Sequence, residues 1–285
     1  MNINKILSKD YQNLDLVAEK ESKNYSKGIP FPSIVLDNFF DEVFLDEILL
    51  NFPDLSKTKF SQNYENKNEI KYANNKYSNF PELVRLFIDF LNSNTYLNFL
   101  QNLTSIQEEL VTDPQLNGGG LHEIKKGGVL KIHTDFNRHP TLNLDRRINI
   151  LIYLNKNWKD QYGGHLELWN KNMTKCEKKI LPTFNRMVIF STNDFSYHGH
   201  PEPVSCPKGE SRKSIALYYF SKGRPSSEID YLKIKNQTYF EDRLGFKNET
   251  DGQSKRFKNF LRSFKFYKKI KNFEKKYLRR KKKTN

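Results

Sequence analysis

The sequence predicts an α+β fold: N-terminal helices, then short strands forming a sandwich or jelly roll, then a basic helical tail. Three observations carry this reading. Before Pro114, apolar residues recur at helical spacing, at Phe40, Val43, Phe44, Ile48 and Leu49 and again at Leu83, Leu86, Phe87, Phe90 and Leu91. After Pro114 the pattern changes to strand-sized apolar runs punctuated by glycine, at Gly118 to Gly120, Gly127-Gly128, Gly163-Gly164 and Gly209. From Lys255 onward, 15 Lys or Arg stand against a single acid, Glu274, so this segment carries nearly all of the chain's net charge of +15.

In chain order, residues 1–28 are polar and read as an N-terminal extension. Pro30, Phe31 and Pro32 lead into Ser33-Ile34-Val35-Leu36, a short strand pattern. Asp37 to Pro53 reads as an amphipathic helix with Asp41 as its cap, stopping at Pro53. Ser56 to Ser78, rich in Asn, Lys and Ser, reads as a loop, and Pro81 to Leu103 as one long or two shorter helices. The predicted strands are Val129 to Thr134, Arg147 to Leu154, His165 to Trp169, Arg186 to Ser191 and Ser214 to Ser221. Helices followed by many short strands suggest segregated layers, with the sheets closing on themselves. In the tail, Phe257, Phe260, Leu261, Phe264, Tyr267 and Ile270 fall three or four apart between cations, which predicts a basic amphipathic helix. The division expected is 1–28, a domain over 29–225, and a basic helical extension over 226–285.

Composition narrows the setting. Met1 to Lys20 lacks the continuous apolar stretch of a signal peptide, and no segment approaches the roughly 18 apolar residues of a membrane span. Two cysteines, Cys176 and Cys206, are too few for a disulfide framework and are expected as free thiols. The expectation is a cytoplasmic protein, with the tail available to an anionic membrane surface or to nucleic acid.

Chemistry concentrates in the histidines, which are His122, His133, His139, His165, His198 and His200. His133 has a carboxylate, Asp135, two residues away at the end of the strong strand pattern Val129 to Thr134, so imidazole and carboxylate project from one face. A histidine, a carboxylate and a second distant histidine form the facial triad of non-haem Fe(II) oxygenases, which leaves coordination positions open for co-substrate and O₂. His198 and His200, in Ser196-Tyr197-His198-Gly199-His200-Pro201, both offer the second histidine. Arg212 stands before the apolar run Ile215 to Phe220, where an unpaired buried charge is expensive; a guanidinium there suits the distal carboxylate of 2-oxoglutarate. Of the others, His122 reads as a structural or pocket-lining residue, His139, before Pro140, as exposed, and His165 as a cross-strand or site-mouth residue.

Gly118 to Phe220 resembles the prolyl 4-hydroxylase-like branch of the 2-oxoglutarate- and Fe(II)-dependent dioxygenases. The resemblance rests on five motifs in order: Gly127 to Asp135; Arg147 to Asn155; Trp158 with Gly163 to Trp169; Ser196 to Pro201; and Arg212 to Ser214. It extends to the entry segment Phe31 to Phe39, covering about residues 30 to 225, and implies a double-stranded β-helix core. It implies His133, Asp135 and His198 as iron ligands, because Tyr197-His198-Gly199 follows the preceding strand as the ligand does in the family. Tyr153, assisted by Ser214, would then join Arg212 on the distal carboxylate. His200 becomes a residue beside the ligands or facing substrate. The 14 positions from His198 to Arg212 exceed the usual spacing, so Pro201 to Glu210 reads as an insertion. Fe(II), 2-oxoglutarate and O₂, with ascorbate as an aid, are the expected cofactors and co-substrates. A prolyl residue of a protein is the substrate the resemblance implies first, ahead of amino acids, glycans, lipids or nucleobases. The competing reading is a non-catalytic jelly-roll module acting through its basic tail.

Overall fold

The computed structural model describes residues 5–231, 233 and 237–251. The basic segment from Lys255, with its predicted helix, lies outside the described residues.

Among the described residues, four α-helices precede Ser105, with the first three strands between them. α1 (Leu14–Ser26) begins where the Asn13 side chain accepts from the Leu16 N–H, and α2 (Glu42–Leu50) where Asp41 does the same for Phe44. α3 (Glu82–Leu91) buries Val84, Phe87, Ile88 and Leu91, and α4 (Asn94–Thr104) buries Tyr96, Phe99, Leu100 and Leu103. In both, the buried positions fall at i, i+3, i+4 and i+7, one stripe of a 3.6-residue period. Ser93 caps α4, dividing the predicted Pro81 to Leu103 segment into two helices.

The strands are β1 (Ser33–Asp37), β2 (Gln62–Glu65), β3 (Glu69–Asn74), β4 (Val111–Thr112), β5 (Gly120–Lys125), β6 (Val129–Thr134) and β7 (Asp145–Tyr153). They continue with β8 (Leu166–Trp169), β9 (Cys176–Ile180), β10 (Arg186–Ser191), β11 (Tyr197–His200), β12 (Ser211–Ser221) and β13 (Tyr239–Phe240). They form one curled antiparallel sheet in the order β1-β10-β7-β12-β5-β3-β6-β11-β8-β9, a jelly-roll arrangement. Along β7 the alternation of strand side chains separates two jobs. Ile148, Ile150 and Ile152 join the core shared with the helices, while Leu151 and Tyr153 pack with Phe190 and Leu166, and Asn149 lines the main cavity.

Several elements depart from the sequence reading. Ser56 to Ser78 is not a loop throughout, because β2 and β3 form a hairpin within it and β3 pairs with both β5 and β6. Its side chains are mostly exposed or half-buried, so the hairpin rests on backbone pairing and shows no apolar alternation. The N-terminal extension contains α1, whose Leu14, Val17, Ala18 and Tyr25 reach the core from between charged residues. Residues 226–251, assigned to a helical extension, hold a 3-10 turn at Ser226–Glu228 and then β13, which pairs with β6 at Thr134 and His133. His139 is buried, not exposed: its Nε2 lies 3.3 Å from Asp113 Oδ1, and its Nδ1 accepts from the Leu142 N–H. Among the described residues no helix is long and apolar enough to cross a membrane.

Candidate active site

Pairing of β6 with β11 sets His198 directly opposite His133. Asp135, one residue beyond the end of β6, turns into the same space. His133 Nε2 is 3.5 Å from Asp135 Oδ1 and His198 Nε2 is 3.4 Å from Asp135 Oδ2. One ligand atom from each of the three residues lies within 4.8 Å of the others. His133 Nδ1 lies 2.8 Å from the Lys131 carbonyl oxygen and His198 Nδ1 2.9 Å from that of Ser196. A carbonyl only accepts, so each Nδ1 carries the proton and each Nε2 presents a lone pair to the centre. Burial, the largest influence, lowers the His198 pKa to about 4 and favours the neutral ring a metal needs.

The carboxylate is held in the complementary state. Burial alone would raise the Asp135 pKa, but Arg146, His198 and His133 outweigh it and hold the carboxyl well below the usual carboxylate range. Arg146 reaches Asp135 Oδ2 at 3.0 Å, and Asn149 Nδ2 donates to the same oxygen at 2.8 Å. Arg146 also donates from Nε to Asn149 Oδ1, and its guanidinium lies 3.3 Å from the centre of the Tyr218 ring. These contacts load one carboxylate oxygen and fix the orientation of the other. Two imidazole nitrogens and one oriented carboxylate fit a 2-His-1-carboxylate iron centre, the donor set that suits Fe(II).

The three residues open onto a cavity of about 230 Å³, whose lining includes His122, His200, Arg212 and Ser214. Arg212 is 4 % exposed. Its Nε donates to the Gly164 carbonyl at 2.8 Å and its Nη2 to the Tyr153 hydroxyl at 3.2 Å. Register places Ser214 opposite Tyr153 on β7 and opposite His122 on β5; Arg212 and Ser214 line the cavity, and Tyr153 stands behind Arg212 through its hydroxyl. No ion pair among the described residues involves Arg212, and burial lowers its pKa. A Cβ added to Gly164, which has φ +69°, would lie 2.9 Å from Arg212 Cδ, so the bare backbone leaves room for the guanidinium stem.

The family model of the 2OG-Fe(II) oxygenase superfamily matches residues 119–220, the stretch that contains all of these groups. These residues belong to the 2OG-Fe(II) oxygenase superfamily. The solved structures similar to this oxygenase include a prolyl hydroxylase from Trichoplax adhaerens in complex with a hypoxia inducible factor peptide fragment. That pair has 17% identity and TM-score 0.55, and the likeness covers 75% of this chain and 93% of that one. A Pseudomonas putida prolyl-4-hydroxylase is similar at 12% identity and TM-score 0.51, over 74% of this chain and 100% of the other. A prolyl 4-hydroxylase from Phytophthora capsici is similar at 18% identity and TM-score 0.51, over 77% and 70%. At these identities the structures show that the oxygenase has the jelly-roll fold of prolyl hydroxylases. The superfamily's dioxygenase chemistry implies Fe(II), 2-oxoglutarate and O₂.

Some groups at the site escape the sequence reading. Arg146 and Asn149 carry a signal that was available: a charge and an amide within the apolar strand pattern of β7, the same kind of anomaly that marks Arg212. Phe240 carries none, because its ring reaches His133, 5.2 Å away, only through the pairing of β13 with β6. His165 sits at the surface with its Nε2 3.0 Å from Asp160 Oδ1, away from the cavity.

Proposed function

We propose that the oxygenase hydroxylates a prolyl residue of a protein, converting 2-oxoglutarate and O₂ to succinate and CO₂, with one oxygen atom entering the substrate and the other entering succinate. His133 Nε2, Asp135 and His198 Nε2 would hold the iron; Arg212, Tyr153 and Ser214 would hold the distal carboxylate of 2-oxoglutarate. The observation that carries the reading is the Arg212 guanidinium, buried, without an acid among the described residues, and lining the same cavity as the triad. A buried unpaired charge costs several kcal/mol, and a carboxylate ligand is the partner that offsets it.

Iron bound at the triad supplies activation of O₂ and the oxidising power for C–H hydroxylation. The protein's part is placement. Arg212, backed by Tyr153, would supply donors to the distal carboxylate, and Leu151 and Leu166 would give the carbon chain apolar walls. Arg146 and Asn149 keep Asp135 ionised and oriented. The Phe240 ring shields one face of His133 from water, and the hairpin residues Tyr64 and Lys71 border the side left for substrate. The fold likeness to prolyl hydroxylases supports a prolyl substrate. Ascorbate would serve to return oxidised iron to Fe(II). The setting we propose is cytoplasmic, with the basic segment from Lys255 holding the enzyme near an anionic surface.

The test is succinate formation by anaerobically purified protein supplied with Fe(II), 2-oxoglutarate and then O₂, for wild type and for His133→Ala, His198→Ala and Arg212→Ala. Turnover lost in all three variants supports the assignment. Wild-type protein that binds neither iron nor 2-oxoglutarate refutes it. Hydroxyproline formation in a panel of proline-containing peptides tests the substrate class separately.

A further inference from the structure

His200, only 2 % exposed, has neither buried ring nitrogen hydrogen-bonded among the described residues, and His122 Nε2 beside the same cavity is unmet as well. His133 and His198 each have Nδ1 tied to a carbonyl, His139 is bonded at both nitrogens, and His165 meets Asp160. Leaving a buried polar group without a partner costs about 1–3 kcal/mol, so two unmet nitrogens on one ring call for a ligand.

Its position says which part of a ligand it meets. His200 lies two residues beyond His198 on β11, so the ring faces the same side about 7 Å further along the strand. It lines the cavity together with Arg212 and Ser214. Arg212, Lys71 and His133 line the same cavity, and with burial they disfavour a charged ring at His200. A five-carbon 2-oxo diacid held by both the triad and Arg212 would share this cavity with the His200 ring. An imidazole has at least one N–H in either protonation state, so it can donate to a carboxylate at any pH.

Resting on the oxygenase reading above, we infer that His200 donates a ring N–H to the carboxylate held by Arg212 and Tyr153. It is thereby a specificity residue that makes this pocket select a 2-oxo acid with a second carboxylate. The register irregularity between His198 and His200 in the β11–β6 pairing accompanies this placement.

Calorimetric titration of the anaerobic, Fe(II)-loaded protein tests it, with 2-oxoglutarate and, separately, oxalate, which chelates the metal but has no distal group. A hydrogen bond to a charged group predicts that His200→Leu weakens 2-oxoglutarate binding about 10- to 100-fold. Oxalate and Fe(II) binding should stay within about twofold, and His200→Gln, which keeps an N–H, should recover most of the loss. Equal weakening of both ligands, or unchanged 2-oxoglutarate affinity in His200→Leu, overturns the inference. If His200→Leu is misfolded by circular dichroism, the Gln variant decides: near wild-type selectivity supports the hydrogen bond, and its loss overturns it. Wild type that takes up Fe(II) and oxalate but no 2-oxoglutarate refutes the co-substrate reading itself, an outcome distinct from failure of the His200 assignment alone.

Discussion

Replacing Arg212 with Met separates a guanidinium kept for a ligand from one kept for the fold. In the ligand-free protein the guanidinium is buried, faces no acid among the described residues, and makes two hydrogen bonds, to the Gly164 carbonyl and the Tyr153 hydroxyl. Losing two neutral-acceptor bonds costs about 2 kcal/mol, whereas removing a buried, uncompensated charge returns several kcal/mol. The balance predicts that Arg212→Met is at least as stable as wild type without ligand. The ligand-bound state reverses this. Two charge-assisted hydrogen bonds to a carboxylate, at about 1.5–3 kcal/mol each, predict a loss of 2-oxoglutarate affinity of at least about 100-fold. At a concentration 100 times the wild-type Kd, 2-oxoglutarate should stabilise the wild type by about 2.7 kcal/mol and the variant by less than 0.5 kcal/mol, both order-of-magnitude figures from mass action. Urea unfolding of the anaerobic Fe(II) form, with and without 2-oxoglutarate, measures both quantities. A variant destabilised by more than about 2 kcal/mol that still responds to 2-oxoglutarate would mean that Arg212 is a structural arginine, and the argument from its missing acid would fail.

Three further outcomes follow from the same geometry. Asn149→Leu removes one donor to Asp135 Oδ2 and leaves Arg146 less firmly placed, so Fe(II) affinity should fall about 10- to 100-fold, as read by competition with a chelator; unchanged affinity refutes the orienting role. Gly164→Ala puts a methyl 2.9 Å from Arg212 Cδ at a left-handed backbone position, and should weaken 2-oxoglutarate binding about tenfold at a stability cost of about 1–2 kcal/mol, while oxalate binding is spared. The His198 pKa is lowered from 6.5 to about 4, so the unfolded state takes up a proton that the folded state refuses; the metal-free protein should be fully stabilised above about pH 6.5 and lose stability as pH falls toward 4. Asp135, held low, acts in the same direction at more acid pH, and in His198→Gln the slope of unfolding free energy against pH between 6.5 and 4 should fall by up to one proton; an identical slope would show that His198 is not buried neutral.

What was legible in the sequence depended on whether a residue's environment is local. The stripes of α3 and α4 and the apolar runs of β7, β10 and β12 are periodic, because each element buries a large apolar face, and the periodicity survives without knowledge of neighbours. The β2–β3 hairpin and β9 bury little, so their strands are fixed by backbone pairing, of β2 with β3, of β3 with β5 and β6 and of β9 with β8, and leave almost no pattern in their side chains. The same division runs through the site. His133 and Asp135 are two residues apart on one strand face, and the spacing alone suggests that they act together. His198 meets them only through the pairing of β11 with β6, and from residues alone it could not be told from His200.

The site also shows what a polar residue inside an apolar strand means. A strand that contributes to a core on one face and to a cavity on the other tolerates Asn149 and Tyr153 on β7, or Arg212 and Ser214 on β12, only on the cavity face. Each such group must find a partner there, because burial without one costs more than an apolar replacement would. Arg146 and Asn149 find theirs in Asp135, and Tyr153 finds Arg212. Among the described residues Arg212 meets no acid, and His200 has no hydrogen-bond partner. Arg212, His200 and His122 line the same cavity, and on the reading proposed above a ligand carboxylate there would satisfy Arg212 and His200. The pattern of satisfied and unsatisfied polar groups therefore separates the His133, Asp135 and His198 cluster, whose carboxylate the protein itself orients, from Arg212 and His200, which on the proposed reading a 2-oxo diacid would complete.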